Sequence, residues 1–225
     1  MRWLMLNSGP GGAAENMAWD AALLEAAPRL GAPVLRLYGW SEPAATFGYF
    51  QHWADIERLT TLRPIIRRPT GGGLVPHDRD WTYSLAFPPA DPWYALKAVD
   101  SYRRAHEWVQ AAFARCRVST ELAPSAVKEA PGQCFIGAEQ FDVLLDAKKI
   151  AGAAQRRTRD GLLIQGSIQP PPGVVRENFE RAMLDVATAQ WNVEWEELQP
   201  EVILKTRAAE LAADRFGRVE YNARR

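Results

Sequence analysis

Cysteine and histidine are scarce in this sequence, which contains two cysteines and three histidines in 225 residues. Two cysteines are too few for a disulfide framework, and His52, His77 and His106 lack the spacing of metal ligands, so we expect no metal site. Apolar runs are also short. None approaches the roughly 18 residues of a membrane span, and the N-terminal run is shorter than the roughly 7 to 15 residues of a signal peptide core. We therefore expect a cytoplasmic protein without a membrane partner.

Net charge is absent as well, because 27 lysines and arginines balance 27 aspartates and glutamates. Without an overall positive field we expect no nucleic-acid partner, and an acidic protein partner would have to meet a local basic patch. Arg67, Arg156 and Arg157 are candidates for such a patch, although ordinary solvated arginines would fit the sequence equally well. Apolar residues make up 47% and charged residues 24% of the chain, which is typical of one well-packed globular domain.

The spacing of apolar residues predicts strands and helices along the whole chain. After an N-terminal strand, the first helix is expected to begin at an Asn16 cap and to end near Ala27, before Pro28. Further helices are expected at residues 55–62, 93–115, 176–189 and 200–215, and further strands at residues 35–38, 45–50, 81–87, 140–146, 148–156 and 162–168. The last three strands indicate a meander, so we expect an α/β (α+β) fold with mixed, largely antiparallel sheets flanked by helices.

The stretch at residues 67–78 reads RRPTGGGLVPHD and has the composition of a binding loop. Three consecutive glycines allow a ligand to lie directly against the main chain, although an ordinary loop remains the alternative. A phosphate-binding loop is excluded because the Gly-Lys-Ser/Thr sequence is missing. We expect the stretch to join two strands at one edge of a sheet. His77 and Asp78 are adjacent and point to opposite faces of a strand, so we expect a hydrogen-bonding role and no direct dyad between them.

The second half of the chain offers two further candidates for chemistry. Lys149 lies in the sequence KKIAG, which predicts either a site strand or an exposed hairpin with solvated lysines. Cys134 follows a proline and a glycine and precedes Phe135, which predicts a corner between a loop and a strand. A buried and inert thiol is the alternative for Cys134, and Cys116 at the end of an amphipathic helix fits that alternative better.

Four motifs together resemble the lipoate/octanoate protein ligase and transferase family. They appear in the family's order between about Met1 and Ile168, and they read NMA with Asp20 (16–20), GYFQ (48–51), RRPTGGG with His77 and Asp78 (67–78), and KIAGAAQR (149–156). The resemblance implies a mixed sheet with flanking helices, related to biotin protein ligase and the class II synthetases. It also implies a single catalytic domain over residues 1–225, with residues 174–225 as a helical C-terminal extension.

The resemblance implies roles for particular residues. Lys149 would contact the acyl carbonyl, where an ammonium stabilises the developing oxyanion, and Gly152 would leave room for the acyl chain. The remaining residues of the implied acyl-binding tunnel are Arg68, Thr70, Gly71, Gly72, Gly73, His77, Ala153 and Gln155. Burying each methylene contributes about 0.8 kcal/mol, so such a tunnel measures chain length only coarsely.

Within the family, the sequence is similar to the cysteine-dependent octanoyltransferases, because Cys134-Phe135 precedes Phe141-Asp142 and Lys149 as in that branch. The resemblance implies that the Cys134 thiolate takes an octanoyl group from octanoyl-acyl carrier protein and passes it to a lysine of a lipoyl domain. The acceptors would be the lipoyl domains of 2-oxoacid dehydrogenases and the glycine-cleavage H protein. This reaction requires no cofactor.

Two alternatives remain open. The first is an ATP-dependent lipoate-protein ligase, which would need ATP and magnesium. Ligases of the family usually carry a further C-terminal domain or act with a separate partner chain, and we expect this sequence to end before such a domain. A non-catalytic acyl-binding relative is the second alternative. One departure bears on the mechanism: related transferases tend to have a histidine where this chain has Gln165, so we expect no histidine-dependent step at that position.

Overall fold

The strands form one large and one small sheet in the computed structural model, which describes residues 1–127 and 137–224. The large sheet contains β1 (Arg2–Gly11), β2 (Val34–Trp40), β6 (Trp81–Phe87), β7 (Glu121–Leu122), β8 (Val143–Leu145), β9 (Lys148–Thr158), β10 (Gly161–Ile168) and β11 (Glu194–Glu197). Their spatial order is β11-β1-β2-β6-β10-β9-β8-β7. Strand β1 runs parallel to β11 and β2, and the other neighbouring pairs are antiparallel. The predicted meander and the mixed, largely antiparallel sheet are therefore confirmed.

The small sheet holds the strands on either side of the glycine-rich stretch. It contains β3 (Ala44–Phe47), β4 (Ile65–Arg67) and β5 (Val75–His77), in the order β4-β3-β5. Because β4 is parallel and β5 antiparallel to the central β3, the glycine-rich stretch passes from one edge of this sheet to the other. The expectation that it joins two strands at one edge is wrong.

Helices cover both faces of the large sheet. They are α1 (Ala13–Leu30), α2 (Trp53–Ile56), α3 (Pro92–Ala95), α4 (Ala98–Arg115), α5 (Arg176–Trp191), α6 (Val202–Leu211) and α7 (Val219–Asn222), with a π-helical turn at Ala212–Phe216. Helices α4 and α5 pack together on one face of the sheet, and α1 and α6 pack together on the other, each pair over its own apolar core. Within the described residues, no helix is both long and apolar enough to cross a membrane.

Several predicted helix ends differ from the structure. Helix α1 begins at Ala13, so Asn16 is not its cap; the Asn16 side chain is buried and donates to the carbonyl of Gly39 at 2.8 Å. The helix predicted over residues 93–115 is two helices, because Lys97 between them has an extended backbone (φ −61°, ψ 154°). The helix predicted over residues 55–62 is one turn, Trp53–Ile56.

Helix α7 is hydrogen-bonded to β4, the strand that leads into the glycine-rich stretch. The Asn222 side-chain oxygen accepts the Arg67 amide at 2.7 Å, and the Arg67 guanidinium donates to the Asn222 carbonyl at 2.9 Å. The same guanidinium donates to the carbonyls of Tyr49 and Gln51 at 2.8 and 2.7 Å. Arg67 is completely buried, so the expectation that it contributes to a basic docking patch is wrong.

Candidate functional site

A narrow cavity lies where the small sheet covers the large sheet. Its large-sheet lining is Tyr38, Thr82, Lys149, Gly152, Ala153, Ala154, Gln165, Gly166 and Ser167, and its remaining lining is Thr46, Arg68, Val75 and His77 from the small-sheet segment and Met17 from α1. The cavity thus combines apolar and small residues with a few charged and hydroxyl groups. Such a combination is typical of a binding site for a small, mostly apolar ligand.

The floor of the cavity is a row of residues that crosses four strands. Gly152 of β9 pairs with Ser167 of β10, Ser167 pairs with Thr82 of β6, and Thr82 pairs with Tyr38 of β2. Directly paired residues point to the same face of a sheet. Three strand spacings correspond to roughly 14 Å, so the row offers an elongated floor that begins beside Lys149.

The Lys149 end of the cavity is a buried ion pair. The Lys149 ammonium lies 2.7 Å from Oδ2 of Asp142, and the side chains are 7% and 0% exposed. The Glu139 amide also donates to Asp142 Oδ2 at 2.7 Å, and the Tyr102 hydroxyl donates to Asp142 Oδ1. A Cβ atom added to Gly152 would lie 2.6 Å from Cε and 2.8 Å from Nζ of Lys149, so the glycine makes room for this lysine side chain.

A second buried carboxylate, that of Asp80, contacts His77, which lines the cavity. Nδ1 of His77 lies 2.8 Å from Oδ2 of Asp80, and Nε2 lies 2.7 Å from the hydroxyl of Thr46. The Ser167 hydroxyl donates to the same Asp80 oxygen at 2.7 Å, and the Trp40 ring stacks on the imidazole with centroids 3.8 Å apart. The expectation that His77 forms no direct dyad with Asp78 is confirmed, and the carboxylate partner is Asp80, three residues along the chain.

The glycine-rich stretch is a folded loop held by an arginine. Arg68 donates to the carbonyls of Gly71 and Gly73 at 2.8 Å each, and also to the Thr46 hydroxyl at 3.0 Å. The loop passes so close to Gly48 that a Cβ atom there would lie 1.9 Å from the Gly72 carbonyl oxygen. The missing side chain of Gly48 therefore allows the loop to pack against the GYFQ segment.

A network of buried polar groups ties this loop to α1. The Thr70 hydroxyl donates to Gln165 Oε1 at 2.7 Å, and Gln165 Nε2 donates to Asp20 Oδ2 at 2.7 Å. Asp20 Oδ1 accepts the buried Arg36 guanidinium at 2.8 Å. The Tyr38 hydroxyl donates to Asp20 at 3.1 Å, and burial, followed by the Asp20 charge, raises the pKa of Tyr38 well above its usual range. The loop position is thereby coupled to a helix far away in sequence.

The residues that the resemblance implies reach the cavity to different degrees. Lys149, Arg68, His77, Gly152 and Ala153 line it, and they come from both sheets. The residues from Thr70 to Gly73 do not line the cavity, and Arg68 donates to the carbonyls of Gly71 and Gly73. The prediction for Cys134 lies outside the described residues.

Gln155 is not brought to the cavity. Its amide nitrogen donates to the Ala98 carbonyl at 2.7 Å, and its oxygen accepts the Ser101 hydroxyl at 3.0 Å, so it connects β9 to the first turn of α4. Cys116 is half-buried at the end of α4, where burial raises the pKa of its thiol. A raised pKa disfavours the reactive thiolate, which fits the expectation of an inert cysteine.

The structure adds residues that sequence reasoning did not select, namely Thr46, Asp80, Tyr102 and Asp142. Each acts through a contact with a residue distant in sequence or across a turn, and none belongs to a spacing pattern of its own. Asp142 stands in one of the quoted segments, beside Phe141, and that adjacency is the only sequence signal for it. Across residues 1–127 and 137–224, no group of three or more His, Cys, Asp or Glu side chains is placed to hold a metal ion.

The fold and the cavity describe an α/β protein that can bind an elongated, mostly apolar ligand beside a buried ammonium. Residues 12–181 match the family model described as lipoyl protein ligase A/B catalytic domain, and the chain belongs to this family. It is 35% identical to the octanoyltransferase LipM of Kyrpidia tusciae over 178 residues, which cover 74% of this chain and 65% of that relative. The chain therefore spans less than two thirds of the length of that curated relative.

Solved structures support the fold. Protein Ta0514 from T. acidophilum, solved with bound lipoic acid, has a TM-score of 0.84 at 19% identity, with complete coverage of both chains. A lipoate-protein ligase A bound with ATP has a TM-score of 0.82 at 19% identity, with 99% of each chain covered. At 19% identity these comparisons show similarity of fold alone. They confirm the predicted α/β fold of the lipoate-ligase type.

Proposed function

We propose that the protein transfers an octanoyl or lipoyl group to a specific lysine of lipoyl-carrier domains, with octanoyl-acyl carrier protein as the donor. The observation that carries the proposal is the buried Lys149 ammonium at the end of an elongated cavity, in a chain that is 35% identical to a curated octanoyltransferase. The whole chain, residues 1–225, acts as the catalytic domain, and residues 174–225 form its C-terminal extension. The acceptors are lipoyl domains of 2-oxoacid dehydrogenases and the glycine-cleavage H protein, in the cytoplasm.

The acyl chain lies along the floor row, with its carbonyl toward Lys149. Met17, Val75 and Ala154 give this space apolar walls, and each buried methylene contributes about 0.8 kcal/mol. The Lys149 ammonium then stands where the carbonyl oxygen gains negative charge during attack. A fixed positive charge stabilises this oxyanion more strongly in a buried site than in water.

The reaction has two acyl-transfer steps. In the first, the Cys134 thiolate attacks the thioester carbonyl, a carbon–sulfur bond to the enzyme forms, and the carrier thiolate leaves. In the second, the neutral amine of the acceptor lysine attacks, a carbon–nitrogen bond forms and the bond to Cys134 breaks. The proton that the amine loses ends on the carrier thiolate released in the first step, which leaves Cys134 as the thiolate. No cofactor takes part in either step.

The test is to incubate the purified protein with octanoyl-acyl carrier protein and an unmodified lipoyl domain, without ATP, and to weigh the lipoyl domain by mass spectrometry. We expect octanoylation, an octanoyl adduct on Cys134, and loss of both in Cys134→Ser. Transfer that survives this substitution would exclude Cys134 as the nucleophile.

The second candidate is an ATP-dependent lipoate ligase, which is favoured by the similarity to the structure of a lipoate-protein ligase A bound with ATP. A parallel reaction with octanoate or lipoate, ATP and magnesium tests it. Modification only under these conditions would overturn the transferase proposal. A protein that binds octanoate but modifies no acceptor in either reaction would be an acyl-binding relative.

A further inference from the structure

Asp142 is a completely buried carboxylate whose two oxygens are both engaged. Its Oδ2 accepts the Lys149 ammonium and the Glu139 amide, each at 2.7 Å, and its Oδ1 accepts the Tyr102 hydroxyl. We propose that Asp142 is the positioning residue that holds the Lys149 ammonium at the reacting end of the cavity, and that Tyr102 in turn fixes Asp142. This inference rests on the proposed function, in which Lys149 stabilises the oxyanion.

A buried ammonium needs such a partner. The Lys149 side chain is 7% exposed, and burial without a counter-charge disfavours the charged form of a lysine. Only the charged form can stabilise an oxyanion without first taking up a proton. The Asp142 carboxylate, itself 0% exposed, supplies this negative charge at contact distance from Nζ of Lys149.

Lysine also has a long, flexible side chain, and a flexible ammonium would not stay beside a carbonyl. Two features restrict it here. Asp142 binds Nζ, and the missing side chain of Gly152 leaves a notch into which Cε and Nζ of Lys149 fit, since an added Cβ would lie 2.6 and 2.8 Å from them. The ammonium is thereby held against β9, at the first residue of the cavity floor.

The carboxylate is fixed by rigid elements of the fold. Tyr102 belongs to the long helix α4, and its ring packs edge-on against the buried His106 with centroids 4.3 Å apart. Glu139 adds a backbone donor from the turn that leads into β8. Catalytic groups need this kind of support, because outer hydrogen bonds decide the direction in which an inner charged group points.

The kinetic test compares Asp142→Asn and Tyr102→Phe with the wild type in the transfer reaction without ATP. A misplaced reacting group costs roughly 100-fold in rate, so we expect a loss of this size in kcat for Asp142→Asn. We expect a loss of roughly 10-fold for Tyr102→Phe, which removes a supporting hydrogen bond only. KM for octanoyl-acyl carrier protein should change little in both variants. Wild-type kcat in Asp142→Asn would overturn the proposal.

A measurement that needs no activity separates this inference from the proposed function. An ammonium that is buried in an ion pair exchanges its protons slowly, so Lys149 should give a side-chain ¹⁵N–¹H signal in lysine-labelled protein, identified by its absence in Lys149→Met. We expect the signal to disappear in Asp142→Asn. The matched control is Asp20→Asn, which alters an equally buried carboxylate that pairs with Arg36, and it should keep the signal.

The outcomes are distinct. If the wild type transfers no acyl group while the signal depends on Asp142, the proposed function fails and the positioning of Lys149 stands. If transfer occurs and the signal persists in Asp142→Asn, the positioning role is wrong. If Asp142→Asn does not fold, Tyr102→Phe tests the proposal instead, because it removes only one hydroxyl group. A reduced kcat with an unchanged melting temperature supports the proposal. An unchanged kcat overturns it.

Discussion

His106 is a buried histidine on α4 whose two ring nitrogens have no hydrogen-bond partner among the described residues. Burial lowers the pKa of His106 to about 4, from 6.5 for a solvated histidine. The Asp142 charge opposes this change and the Lys149 charge adds to it, and a pKa of about 4 results from the three effects together. The neutral imidazole is therefore part of the native structure at neutral pH, and protonation of His106 competes with folding.

The size of this effect follows from proton linkage. Between pH 6.5 and pH 4 the unfolded chain binds a proton at His106 and the folded chain does not, so the free energy of unfolding falls as the pH falls. One pKa unit corresponds to 1.36 kcal/mol, so a shift from 6.5 to about 4 amounts to about 3 kcal/mol in total. Between pH 7 and pH 5 the loss is about 2 kcal/mol.

The assay is urea unfolding of the wild type and of His106→Leu at pH 7, 6 and 5. We expect the wild type to lose about 2 kcal/mol more than the variant between pH 7 and pH 5, because leucine cannot bind the proton. His52→Gln, at an exposed histidine, is the control and should keep the pH dependence of the wild type. If wild type and His106→Leu lose the same stability over this range, the folded protein tolerates a charged His106 and the reasoning is wrong.

Three further substitutions test other parts of the structure. Trp3 is buried among five aromatic rings, so Trp3→Ala should cost about 3–5 kcal/mol in urea unfolding, and the less buried Trp195→Ala should cost less. Ala147 has a φ of +62° in the turn between β8 and β9, so Ala147→Gly should raise the free energy of unfolding by about 0.5–1 kcal/mol; a decrease would contradict the turn. Gly152→Ala should displace Lys149 and lower the acyl-transfer rate roughly 100-fold, with little change in melting temperature. The control is Gly12→Ala, where an added Cβ meets open space, and this variant should keep the wild-type rate.

Local patterns in the sequence predicted the parts of the fold that depend on neighbours in the chain. The meander of β8, β9 and β10 was predictable because turn residues separate its strands. The break at Lys97 was not, since apolar spacing continues across it while the backbone becomes extended. Asn16 was mistaken for a helix cap because its residue type favours that position, whereas the fold uses its amide to bridge β1 and β2 through the carbonyls of Gly11 and Gly39.

The site was predictable where a residue touches the cavity and not where it acts through another residue. Lys149 and His77 stand in motifs that resemble a known family, but only the structure shows that Asp142 and Asp80 are their partners. The Gln165 to Asp20 hydrogen bond joins positions 145 residues apart, and no spacing rule reaches that far. Such pairs depend on which strands become neighbours, and that is a property of the completed sheet.

Gln165 shows how this network works without a histidine. It accepts a hydrogen bond from Thr70 through its oxygen and donates one to Asp20 through its nitrogen. A histidine can accept and donate at once only as one neutral tautomer, and it loses the acceptor when it is protonated. The amide does not titrate, so Gln165 has no protonation state in which it loses its acceptor. Position 165 therefore joins the glycine-rich loop to α1 as a structural link, and we expect the proton transfers of the proposed reaction to be carried by other groups.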